Sequence, residues 1–166
     1  PDDGADTLSV RLSLKTSVTD NQHFVFEVLN SNVAAGNSST SSQFTTFSAA
    51  TSNSSSNKID VVASALAFTT VPADSVQVNT NFSVAVTARD ANSNTDVDYA
   101  NNVTLTRETG TGILSAASTL THTPSSGVAS WSDLQYDTPE TGVSLRGAGS
   151  GESDAVSTTF KVFAQT

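Results

Sequence analysis

Neither cysteine nor methionine occurs anywhere in these 166 residues. Without cysteine there is no disulfide framework and no thiolate metal site. Long hydrophobic runs are missing too: the longest spans a few residues, against the ~20 that a membrane helix needs. Positive charge is scarce, with 7 Lys and Arg against 16 Asp and Glu, a formal charge of -9 and a pI near 4.3. An acidic surface without a basic patch repels phosphate backbones and anionic lipid, so nucleic acid and membrane insertion are not expected. Helix signals are equally thin. No window sustains apolar spacing at i, i+3 and i+4, and good helix formers other than Ala are few.

What the chain has instead is hydroxyls and alternation. Ser and Thr together make up nearly a third of it, which suits exposed strand faces and long turns. The fold class predicted is all-β. Leu8, Val10, Leu12 and Leu14 alternate with polar residues and predict a strand over residues 7–15. A turn through residues 16–22 follows, with Asp20 and Asn21 at its corner, and then a strand over residues 23–28 that buries Phe24, Phe26 and Val28 and forms a hairpin with the first. Residues 30–42 and 48–57 are small, polar and loop-like, interrupted by a short strand at 43–47. Residues 58–63 read as one more strand. The opening Pro1-Asp-Asp-Gly reads as a processed or excised fragment rather than a translation start.

A module boundary is placed near Ala63 and Ser64, with no flexible linker. Beyond it, roughly seven strands fit in about 100 residues, the size of an immunoglobulin-like sandwich. Leu66 and Phe68 begin the first, Val71-Pro72 marks an edge or kink, and Val76 and Val78 continue the edge. Phe82, Val84, Val86 and Ala88 share one face, as do Val103 and Leu105; Ile113, Leu114 and Leu120 fall on middle strands. After a turn at Pro124-Ser-Ser-Gly127, Ala129 and Trp131 point inward, followed by Val143, Leu145 and Ala148, then Val156, Phe160 and Val162. Leu66-Ala-Phe68, Val84-Ala-Val-Thr-Ala-Arg-Asp90, Tyr99 before Asn102-Val-Thr-Leu105, Gly127-Val-Ala-Ser-Trp131 with Leu134, and Thr159-Phe-Lys-Val162 occur in that order. Together they resemble the bacterial immunoglobulin-like repeat, the Big or invasin/intimin-like type, of large exported surface proteins. Such repeats usually carry a small aromatic where Trp131 stands, and a glycine in the loop that here reads Asn92-Ser93-Asn94. The resemblance implies a complete immunoglobulin-like module over 64–166, preceded by a partial second β-sandwich over 1–63.

One loop offers metal chemistry. Asp90, Asn92, Asn94, Asp96 and Asp98 place oxygen donors at every second position, the ligand type Ca²⁺ selects. An EF-hand register fails, because Thr95 stands where the turn glycine belongs and Asn101 where a bidentate Glu belongs. Asn and Asp also make turns without any metal, and a solvated loop is the preferred reading; no cofactor is otherwise expected.

Catalytic arrangements are poorer. His23 and His122 lie in strand-like contexts among many serines, and Asp133, Asp137 and Glu140 lack the aromatic platforms of sugar-cleaving sites. Lys15, Lys58 and Lys161 sit outward or at strand ends, away from the burial that an isopeptide-forming lysine needs. No enzymatic activity is expected.

Function is therefore expected to be structural and adhesive: a spacer or shaft in a secreted, cell-surface repeat protein or fibre, presenting a binding region. Its partners would be neighbouring repeats or subunits, with strands from outside the chain completing residues 1–63, or those residues folding back onto the second module. The alternative is a carbohydrate-binding module of a secreted hydrolase that takes surface glycans, with Tyr99 and Tyr136 as its exposed aromatics.

Overall fold

The structure, a computed structural model, describes residues 13–24, 26–28, 50–52 and 57–165. Those residues contain no helix. Strands β1 (Phe26–Val28) and β2 (Ala50–Ser52) form a small antiparallel pair. The rest build two sheets. One has four strands in the order β3 (Ala65–Thr70), β5 (Phe82–Arg89), β9 (Val128–Tyr136) and β7 (Leu114–Ala116). The other runs β4 (Ser75–Gln77), β12 (Phe160–Phe163), β10 (Glu140–Ala148), β6 (Val103–Thr109) and β8 (Thr121–His122), with β11 (Ala155–Val156) also paired to β10.

Inward residues of both sheets meet in one core. Phe82, Val84, Val86 and Ala88 of β5 face Val103 and Leu105 of β6 and Val143 and Leu145 of β10, as the period of two requires. Trp131 is 2% exposed and is the largest fully buried side chain of this sandwich-like packing. The inward set on β9 steps from Trp131 to Leu134 rather than to Asp133. A bulge causes this: Val84 pairs with Trp131, but Phe82 pairs with Leu134, so an extra residue shifts the phase. Gly142, with φ of +75°, plays the same part in β10 opposite Lys161 and Phe160.

The chain changes sheets at Val71-Pro72. β3 runs antiparallel to β5; after the proline, which has no N–H to give a ladder, β4 runs parallel to β12 with Gln77 opposite Phe163. Two poles follow. Ser64 and Ala65 lie at the upper one, beside Arg89 and Ser153. Phe163 lies at the lower one, where its carbonyl accepts Val78 N–H at 2.9 Å, next to the bond from Asn79 N–H to the Tyr136 carbonyl.

Several expectations need correction. The strand expected over 7–15 falls largely outside the described residues, and its described end, 13–15, is not a strand; Leu14 is 60% exposed. β1 pairs not with that segment but with β2, inside a stretch read as loop, because Ala50-Thr-Ser carries no apolar alternation to announce a strand. The strand at 43–47 lies outside the described residues, and so does most of what outside strands would complete. Among the described residues, 58–63 make only one isolated bridge, Lys58 to His23. The reason is local: the amides of Val61 and Ala63 donate to carboxylates instead of to a neighbouring strand. Of the Ile113-Leu114 pair only Leu114 is buried, Ile113 being 66% exposed; Val156 is 54% exposed, and the tyrosines offered as exposed aromatics are buried, Tyr99 at 7% and Tyr136 at 0% exposure. Each tyrosine keeps its ring in the core and passes its O–H to a surface carboxylate, Glu152 at 2.7 Å and Glu140 respectively.

Candidate functional site

The upper pole is built around the loop that follows β5. Asp90 closes it on itself: Oδ1 accepts the amides of Asn92 and Asn94 at 2.9 and 2.8 Å, and Oδ2 accepts the Asn94 side-chain amide at 2.9 Å. These bonds, led by that of the Asn94 side chain, hold the Asp90 carboxyl below its ordinary pKa. Asn92 stays exposed. The Asn94 side chain, besides its bond to Asp90, reaches residues 16–18, donating to the Thr16 carbonyl at 2.9 Å and accepting Val18 N–H at 3.0 Å.

Asp96 and Asp98 point elsewhere. Asp96 is 7% exposed; its Oδ2 accepts Ala63 N–H at 2.8 Å. Its Oδ1 is buried and has no hydrogen-bond partner among the described residues. Burial pushes the Asp96 carboxyl above its ordinary pKa, partly offset by the Ala63 amide, and the nearby carboxylates of Asp98 and Asp20 add to the rise. Asp98 accepts Asn21 Nδ2 at 3.2 Å and Lys58 Nζ at 3.3 Å on Oδ2; its pKa is lowered first by the Asn21 bond, then by a hydrogen bond shared with the Asp96 carboxyl, then by Lys58. The same Lys58 also contacts Asn21 Oδ1 and lies 3.5 Å from Asp60.

The residue that gathers this pole is Asp20, which sequence reasoning placed only at a turn corner. Asn21 beside it has φ of +59°, the left-handed conformation Asn tolerates at a corner. Asp20 is 6% exposed and bonded through both oxygens: Oδ1 accepts the amides of Asn21 and Val61, and Oδ2, among the described residues, only that of Val97, each at 2.8 Å. Asp20, Asp96 and Asp98 thereby offer carboxylate oxygens all within 4.8 Å of one another.

The five alternating donors of the sequence do not share one site. Only Asp96 and Asp98 are brought together, and their third member comes from the far side of the loop-like N-terminal tracts. The expected solvated loop is also corrected. Asn94 and Asp96 are buried because residues 13–24 and 57–63 cover them, using side-chain amides and carboxylates to satisfy backbone groups that no strand pairs.

The residues weighed for catalysis are not brought into one group, and His23 makes an isolated bridge with Lys58. His122 stacks on Trp131, ring centroids 4.8 Å apart at 14°, with Nδ1 2.7 Å from the Ser130 carbonyl and Nε2 3.4 Å from Ser118 Oγ. Asp133, the nearest acid in that group, accepts the Ser118 amide at 2.6 Å rather than orienting the imidazole. Asp137 accepts Ile113 N–H at 2.7 Å. Glu140 accepts the Tyr136 hydroxyl and the amides of Gly112 and Thr111, which bring its pKa down to about 2. Tyr99, desolvated and bonded to Glu152, is pushed up to about 12. No known family model matches this chain, and no curated protein matches it either.

Proposed function

We propose that this chain is a non-enzymatic structural and adhesive segment of an extracellular repeat protein, with an immunoglobulin-like module over 64–166 acting as a spacer or shaft at the cell surface. The observation that carries this reading is the parallel pairing of β4 with β12. It sends the chain in at one pole and out at the other, which is the geometry a head-to-tail series of modules needs. The switch of the first strand between sheets at Val71-Pro72 supports the immunoglobulin-like assignment.

The anchoring of Ser64 supports the same reading. Ser64 donates to the Arg89 carbonyl at 2.8 Å and accepts from Ser153 N–H at 3.0 Å, so the chain is fastened before β3 begins. Neighbouring modules meeting this pole are the partners proposed. The carbohydrate-binding alternative loses its stacking residues, since Tyr99 and Tyr136 are buried.

Because the chain has no cysteine, spin labels can be placed uniquely by Ser64→Cys and Ala164→Cys. The eight residues of β5 alone span about 26 Å at ~3.3 Å each. Pulsed electron resonance should give one narrow distance of at least about 25 Å. A broad or short distribution would contradict the spacer geometry. Binding of the 166-residue chain to a defined glycan on an array would favour the carbohydrate-binding alternative.

A further inference from the structure

We infer that Asp20, Asp96 and Asp98 form a Ca²⁺ site that clamps the segment 13–24 onto the upper pole of the sandwich. Two independent observations carry this. The first is convergence: three carboxylates from two distant parts of the chain present oxygens within 4.8 Å of one another. Ligands about 2.3–2.6 Å from a Ca²⁺ ion lie at most about 5 Å apart, so such a trio fits one coordination shell. The second is Asp96 Oδ1, buried in a side chain only 7% exposed and lacking any donor among the described residues. A buried carboxylate oxygen left without a donor, on a side chain that also belongs to a carboxylate trio, is costly unless something cationic meets it.

The described surroundings do not supply that cation. Lys58 reaches Asp98 at 3.3 Å, and one ammonium against three carboxylates leaves two negative charges, the complement of a divalent ion. Arg89 Nε is the other buried, unpartnered side-chain atom among the described residues, and Arg89 forms no ion pair with Asp96 there. All donors are oxygen, which selects a hard cation over zinc or copper. The Asp98 side chain is 53% exposed, giving the ion a way in and room for water to complete its shell. Binding goes beyond the spacer reading and does not depend on it.

The sites of Asp20 already cap the amides of Val61 and Val97, and Asp96 caps that of Ala63. Ca²⁺ would therefore tie residue 20, the junction before β3 and the loop after β5 into one unit.

The test uses the whole chain, freed of metal with EDTA, at constant ionic strength. Adding 10 mM Ca²⁺, roughly ten times the dissociation constant of a weak extracellular site, should raise Tm by several degrees, reversibly with EDTA and more than 10 mM Mg²⁺ does. Asp98→Asn should abolish the rise, and Asp90→Asn, which removes a carboxylate outside the trio, should keep it. Amide NMR on the unmutated chain localises the ion whether or not a variant folds: Ca²⁺ should shift Val61, Ala63 and Val97 and leave Asn79 at the lower pole unmoved. No change in Tm or spectrum at 10 mM, a rise that survives Asp98→Asn, or a larger response to Mg²⁺ would overturn the inference.

Discussion

Asp20 accepts the backbone N–H of Val97 at 2.8 Å across 77 positions of sequence. Its other oxygen accepts Val61 N–H and also Asn21 N–H, which reaches the Ile59 carbonyl at 2.9 Å as well, so this one carboxylate is the acceptor for two amides, those of Val61 and Val97, that no strand pairs. Hydrogen bonds to a charged group contribute roughly 1.5–3 kcal/mol, and stranding their donors costs more than the bond alone. Asp20→Ala should therefore lower stability by about 2–4 kcal/mol in chemical denaturation. It should also speed hydrogen exchange at Val61 and Val97 ahead of the core. A loss below about 0.5 kcal/mol, within the usual range for surface substitutions, would show that the segment is not held by Asp20.

Trp131 and His122 make a second comparison. The indole is buried, with Nε1 donating to the Thr119 carbonyl at 3.0 Å, while the imidazole covers its face from outside. Trp131→Ala should cost about 3–5 kcal/mol and His122→Ala about 0.5–1.5 kcal/mol. Urea melts of the two variants check the order. Equal losses would contradict the burial of Trp131.

Two glycines with nearly the same φ separate backbone strain from collision. Gly127 (φ +76°) would place a Cβ 2.1 Å from the Asp96 carbonyl oxygen, whereas Gly142 (φ +75°) has nothing within 4 Å. Gly142→Ala should cost only the left-handed penalty, about 1–2 kcal/mol. Gly127→Ala must also push back the loop carrying Asp96 and should cost clearly more. Thermal melts of both variants decide it; equal losses would contradict the packing of that loop.

Acid stability should depend on Glu140 at the lower pole. Its pKa falls from 4.5 to about 2 in the folded chain, held there first by the Tyr136 hydroxyl and then by the Gly112 and Thr111 amides. A carboxyl with a depressed folded pKa gives stability that is present above its unfolded pKa and lost as pH falls through the folded one. The contribution should thus be complete above about pH 4.5 and vanish toward pH 2. Glu140→Gln should flatten that part of the Tm-against-pH curve; an unchanged acid limb would contradict the assignment.

Alternation revealed much of the sandwich. Val84, Val86, Val103, Leu105, Trp131 and Leu145 are inward because a period of two leaves them no other face. The rule says little about Val156, in a two-residue strand, or Ile113, just before the three-residue β7: segments this short do not tie a period to the core, and both are exposed. Tyr99 and Tyr136 misled because a hydroxyl reaching Glu152 or Glu140 at the rim lets the ring stay buried. The site was half legible. Asp96 and Asp98 stood out as oxygen donors, but Asp20 could not be joined to them, since a side chain capping distant amides leaves no periodic mark. Asp90 and Asn94 looked like partners of that pair and are occupied in holding the loop and residues 16–18.

The spacer account is tested most directly by pulling. Attachment through Ser64→Cys and Ala164→Cys draws the two poles apart along the strands. All the β4–β12 bonds, in which Ser75, Val76 and Gln77 face Lys161, Val162 and Phe163, are then loaded together in shear. Attachment through Thr80→Cys and Ala164→Cys pulls both strands from the lower pole and peels them one bond at a time. Single-molecule force spectroscopy should find a markedly higher rupture force for the pole-to-pole geometry than for the peeling one. Equal forces, or a weaker pole-to-pole geometry, would contradict the claim that this module is built to carry tension along its length.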